Sequence, residues 1–233
     1  RHPSLQWRSS VSRRQLFERS CAFAANYYLA CMEYLAHLQK DKKLAKILGS
    51  EVHELKLHKN IPLRLMASIM SQQLSTRVAK VIYHRFLELY NGKEPRPQQV
   101  LDTPFEKLRA IGLSNAKVSY VKNVAQFCID HKITDKKLLA MTNDEIIELL
   151  TRIKGVGRWT VEMLLMFTLG REDVFAPDDL GIQQAMIKTY KLDNTNKKEF
   201  REKMLKLSEK WKPYRTYACL HLWHFKDTPQ PTR

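Results

Sequence analysis

Two aspartates stand side by side in the stretch DVFAPDDLGIQQ, residues 173–184, between a proline and a glycine. A carboxylate in the first turn of a helix is favoured by the positive end of the dipole. There it can stabilise positive charge that develops as a bond breaks. Asp178 is expected as the N-cap, whose side chain closes the helix start; Asp179 then lies in the first turn, free for chemistry. A second unusual helix entry precedes it, IKGVGRWTVEMLLMF, residues 153–167. Glycines at 155 and 157 permit positive φ and remove β-carbons that would block a close approach. The helix that follows offers unpaired N–H groups and the positive end of its dipole. With Arg152, Lys154 and Arg158 alongside, the turn Gly155-Val156-Gly157 is expected to cradle one backbone phosphate, with Val156 anchored in the core. Main-chain contacts of this kind position a duplex without reading its sequence.

Taken alone, the hairpin is also compatible with glycines that serve only as caps. Charge decides for phosphate. Lysine and arginine number 40 against 24 acidic residues, a net charge of +16 in 233 residues. Such an excess is drawn to phosphate backbones or anionic surfaces. No apolar run approaches the roughly 20 residues of a bilayer span, so double-stranded DNA leads as partner. A carboxylate beside a bound phosphate backbone works against affinity, which points Asp179 towards a reaction.

The elements that must position these residues read as helix after helix. Apolar residues recur at three- and four-residue spacing over 62–73, 75–90, 116–129, 143–153, 159–169, 180–190, 199–210 and 214–225. Thr142 and Glu145 have capping-box spacing, and Ser114 precedes a long periodic run. NGKEPRPQQ is the clearest break, and no segment alternates long enough to demand a strand. The fold class is all-α. Residues 1–31 differ from the rest, arginine- and serine-rich, and read as a leader or extension ahead of Met32. Cys21, Cys31, Cys128 and Cys219 are too scattered for a disulfide framework. Cys219, His221, His224 and Asp227 form the one tight group of metal-binding types, inside an apolar helical pattern that argues for packing over a metal site. No metal is expected.

The stretches GVGRWT, DVFAPDDLGI and WKPYRTYACLHLW, with SIMSQQLSTRVAKVIYHRF and LRAIGLSNAKVSYVKNVA upstream, together resemble the helix-hairpin-helix DNA glycosylase superfamily. Within it they are most similar to the 3-methyladenine DNA glycosylase II branch. The similarity runs over about residues 62–225. It implies two helical lobes with a catalytic cleft between them: a barrel lobe, 62–175, containing the hairpin, and a terminal lobe of 32–61 with 176–228. It also implies a hydrolase of base excision repair that flips alkylated purines out of duplex DNA and leaves an abasic site.

By the same resemblance Asp179 is the catalytic carboxylate. Trp159 and Trp223 are pocket aromatics for a cationic purine, with Tyr214 and Phe175 as further candidates. Gln73, or next Gln72, is the wedge that fills the gap in the duplex. Relatives that also cut the backbone carry a lysine where Trp159 stands, and an indole cannot form a Schiff base; the expectation is a monofunctional enzyme. With Cys219 alone near the C-terminus, a cysteine-ligated iron–sulfur cluster is excluded. No cofactor is required, although the hairpin's phosphate contact has room for a cation. A monomer is expected, intracellular: in the bacterial cytoplasm or, in a eukaryote, the nucleus. Two other readings share these residues: a glycosylase for oxidised or mismatched bases, and a helix-hairpin-helix protein that only binds DNA. A basic structural protein is a third.

Overall fold

The computed structural model of the protein describes residues 33–49 and 53–228; the expectations for 1–31 and Met32 lie outside them. Twelve labelled α-helices, with no strand among the described residues, carry the fold. They are α1 (33–38), α2 (Ile61–Ser71), α3 (Thr76–Glu88), α4 (Pro97–Asp102), α5 (Phe105–Ala110) and α6 (Asn115–Asp130). There follow α7 (Asp135–Leu139), α8 (Asn143–Leu150), α9 (Arg158–Phe167), α10 (Leu180–Tyr190), α11 (Lys197–Ser208) and α12 (Arg215–Asp227). Each of the eight apolar periodicities between residues 62 and 225 became a helix, whereas the periodic stretch from residue 33 is helical only to residue 38 and ends in a 3-10 turn at Leu44–Lys46. The short α4, α5 and α7 were not anticipated, because one or two turns show no measurable period.

Helix starts follow local chemistry. Ser114 Oγ accepts from Lys117 N at 3.2 Å, and Thr142 and Glu145 complete a reciprocal capping box. At α2 the cap comes from elsewhere: Asp135 accepts from Asn60 N and Ile61 N at 2.7 and 2.9 Å. The N-cap residue Asn60 has φ 59° and makes no side-chain cap of its own.

Buried Ile61, Leu63, Leu65, Met66 and Ile69 make α2 the central helix, packed on α3, α6 and α9. Helix α4 covers α6, and α10 packs on α12. The start of the described chain joins its end, since the Tyr34 ring stacks on Tyr217 of α12 with centroids 4.0 Å apart. The fold is thus two helical lobes, bridged by the connection between α9 and α10. That connection is extended but held. Val174, Phe175, Ala176 and Pro177 are buried, and Thr216 Oγ1 donates to Arg171 O at 2.6 Å and accepts from Val174 N at 3.1 Å. Arg215 pairs with Asp173. A segment pinned along its length delivers the next residues, Asp178 and Asp179, to a fixed place.

Candidate active site at the start of α10

The N-cap of α10 is Asp179, not Asp178. Asp179 Oδ1 accepts from Ile182 N at 2.9 Å, while Asp178 turns away to pair with Arg201 at 3.1 Å. The expected division of labour, one aspartate for the cap and the next for chemistry, is therefore corrected: Asp179 takes both. The cap bond fixes one oxygen in direction.

Two indoles complete the shell. Trp223 Nε1 donates to Oδ1 at 2.8 Å, and Trp159 Nε1 donates to Oδ2 at 2.9 Å. An indole N–H only donates, so both carboxyl oxygens act as acceptors. Oδ1 carries two donors and is filled. Oδ2 carries one and keeps an acceptor site open, for a water or for charge at a sugar carbon. Trp159 is 38% exposed, so its ring face is available for stacking.

Gly181 explains how Trp223 comes so close. A β-carbon there would lie 2.9 Å from Trp223 Cδ1 and 3.1 Å from Asp179 Oδ1. The glycine two residues after the carboxylate was a readable signal, though only the packing shows its use. Phe167 was missed altogether. It stands on the same face of α9 as Trp159, two turns on, and its ring centroid is 5.8 Å from that of Trp223. Met163 and Phe167 also line a cavity of about 410 Å³ that Ser68 and Ser71 of α2 and Tyr83 of α3 close from the other side. The other two expected pocket aromatics go elsewhere. Phe175 is buried with its ring 5.7 Å from Trp211. Tyr214 sits at the start of α12 among Tyr34, His37 and Tyr217. Both pack against other aromatics, Phe175 in the core and Tyr214 at its edge, and neither contacts Asp179.

The hairpin runs from α8 through residues 151–157 to α9, with α8 ending at Leu150 and Ile153 buried in the turn. Gly155 has φ +101°, and a β-carbon there would collide with the Tyr120 ring. Gly157 differs. Its φ is −90°, it is the N-cap of α9 without a side-chain bond, and a β-carbon would meet open space. Positive φ is thus needed at one glycine of the pair, not both. Val156 is buried, as expected. Lys154 is exposed, and its carbonyl accepts from Asn123 Nδ2 at 3.1 Å. Arg152 lies over the Phe127 ring at 5.9 Å. Arg158 is divided, with Nε on Glu162 Oε1 at 2.8 Å while half its side chain is exposed.

Glu162 is the charged group that the sequence concealed. Its side chain is 1% exposed, its Oε2 has no hydrogen-bond partner, and burial pushes its pKa up to about 7, with Arg158 opposing. It looked like one polar position in an apolar run.

The turn between α2 and α3 abuts this cluster. Gln72 Nε2 donates to Thr160 Oγ1 at 3.1 Å, beside Trp159. Lys117 Nζ donates to Met70 O and Gln72 O at 2.9 and 2.7 Å, which stiffens the turn. Gln73 takes φ 58° and is exposed. On α12, the helix that carries Trp223, Cys219, His221 and His224 do not converge: among the described residues no group of three or more metal-binding side chains gathers. Burial pushes the Cys219 thiol up to about 12 and the His221 imidazole down to about 4. No helix among the described residues is long and apolar enough to cross a membrane.

Comparison with known proteins agrees with this architecture. DNA-3-methyladenine glycosylase 1 of Schizosaccharomyces pombe is 38% identical over 82% of this chain and 86% of its own. The structure of the Schizosaccharomyces pombe 3-methyladenine DNA glycosylase in complex with abasic DNA superposes with a TM-score of 0.73, at 34% identity, over 86% of this chain and all of that one. A DNA-3-methyladenine glycosidase from Bacillus halodurans gives 0.72 at 32% identity, over 82% and 88% of the two chains. Residues 66–212 match the model of the HhH-GPD superfamily of base excision DNA repair proteins, and the chain belongs to that family.

Proposed function

We propose that the protein is a DNA glycosylase that releases alkylated purines, 3-methyladenine among them, from duplex DNA and leaves an abasic site. The observation that carries this reading is the Asp179 carboxylate held between two indole N–H groups with one acceptor site open. The relatives named above as 3-methyladenine glycosylases support the substrate class. The base leaves with the electron pair of its C1′–N bond, which neutralises the positive charge that alkylation placed on it. The sugar becomes oxocarbenium-like, and Asp179 Oδ2 stabilises that charge or orients the water whose oxygen bonds C1′. The proton lost by the water passes to solvent. No strong general acid is needed for a leaving group that departs neutral.

The ring faces of Trp159 and Trp223, with Phe167 beside them, suit a flat, electron-poor base. Gln73, exposed at the tip of the stiffened turn, is the wedge, whereas the Gln72 amide is engaged on Thr160. The hairpin amides and Lys154 hold a backbone phosphate. In this reading cleavage ends at the abasic site, because the indole of Trp159 stands beside Asp179 at the position where relatives that also cut the backbone carry a lysine, and an indole forms no imine.

Methylated duplex DNA tests all of this together. Free 3-methyladenine should appear, with strand breaks only after alkali. Breaks without alkali would contradict the monofunctional reading. Absence of free base, with DNA still bound, would favour a protein that only clamps DNA.

A further inference from the structure

The end of α10 away from Asp179 carries a feature that base release does not use. Helix α10 has 11 residues, so its C-terminus lies about 16 Å from its start at 1.5 Å per residue. There Tyr190 and Leu207 floor a hollow of about 530 Å³ walled by Lys40, Lys42, Lys43 and Lys210. A second hollow of about 270 Å³ shares Leu207 and Lys210 and adds Leu192, Lys203 and Lys206. Its floor is apolar, made of two leucines and lysine stems. Lys40, Lys42, Lys206 and Lys210 have no carboxylate partner among the described residues. The one acid in the wall, Asp41, stays ionised and accepts from Tyr190 Oη at 2.7 Å and Trp211 Nε1 at 3.2 Å, a single negative charge against four lysines.

We propose that this lysine-ringed hollow docks an acidic segment of a partner protein, with an apolar side chain of that segment seated between Leu192 and Leu207. Charge complementarity selects the occupant. A second copy of the chain would bring the same lysines and repel. The arginine-rich residues 1–31 have the wrong sign as well. A phosphate backbone would satisfy the lysines but has nothing to place on an apolar floor, whereas an acidic segment with one apolar anchor satisfies both.

Fluorescence anisotropy on the full chain tests it, with a labelled peptide of glutamates around a central leucine. The native chain should bind this peptide more tightly than the same peptide with serine in place of leucine. Lys206→Glu with Lys210→Glu should weaken binding at least about tenfold, as should Lys40→Glu with Lys42→Glu from the other wall, while base release and abasic-duplex affinity stay at native values. Equal peptide affinity in the native chain and both double variants would overturn the proposal. So would duplex affinity falling as much as peptide affinity, which would make the face a DNA surface.

Discussion

The starts of α9 and α10 lie about twenty residues apart in the chain and are finished in opposite ways. Gly157 leaves α9 open: no side chain fills its first N–H groups, and the space around the missing β-carbon is empty. Asp179 closes α10 with its own carboxylate and then collects two indoles from other helices. Both termini offer the same dipole and the same unpaired amides. An open terminus can take an anion from outside; a closed one has brought its anion with it and holds it for use. One helix start serves affinity and the other serves chemistry, and a single residue type at the cap separates the two roles.

Substitutions can break that contrast at either end. The largest effect is expected from Asp179→Asn, which keeps the shape but removes the charge. Base release should fall on the order of a thousandfold, comparable with removal of one preorganised electrostatic partner, measured as single-turnover release of 3-methyladenine. Next comes Glu162, buried beneath the open terminus. Its folded-state pKa of about 7 lies above its ordinary 4.5, so the folded chain holds the proton longer than the unfolded chain. Stability should therefore be lost as pH rises from 4.5 to about 7. Glu162→Gln should flatten that slope and stabilise the protein at pH 8 by up to about 3 kcal/mol, read by chemical denaturation across the pH range.

Gly157→Asp gives α9 the cap that α10 already has. The empty space receives the side chain, so stability should be unchanged or raised by about 1 kcal/mol. Affinity for abasic duplex should fall about tenfold, because a carboxylate replaces the phosphate at the amides. The smallest effect belongs to Gly181→Ala. Its methyl group would stand 2.9 Å from Trp223 Cδ1 and 3.1 Å from Asp179 Oδ1, so the indole must shift, loosening one of three donors to Asp179. Release should slow only a few-fold, with duplex affinity at the native value in the same titration.

Much of this contrast could be read before any coordinates. The two glycine-and-proline-marked entries, the long periodic helices and the caps at Ser114 and Thr142 are local features, and local features leave marks in sequence. Asp179 was marked by its place at a helix start, but its two indoles could be named only through resemblance, since residues 159, 179 and 223 meet through tertiary packing that no spacing encodes. That Asp179 rather than Asp178 caps α10 was hidden for the same reason. Either aspartate can cap a helix, and in the fold Asp178 pairs with Arg201 while Asp179 caps. Phe175 and Tyr214 show the limit from the other side: nothing in DVFAP or KPYRT says whether the aromatic packs on the core or faces a pocket. Glu162 could not have been found at all, because nothing in an apolar run says that its one acid is buried.

Single-turnover base release against protein concentration, run on Asp179→Asn and Gly157→Asp beside the native chain, tests the division of labour most directly. The plateau reports chemistry and the half-saturating concentration reports binding. Asp179→Asn should lose the plateau and keep its half-saturation; Gly157→Asp should keep the plateau and shift half-saturation upward about tenfold. Both variants losing plateau and half-saturation together would contradict the account, since the two helix starts would then act as one site.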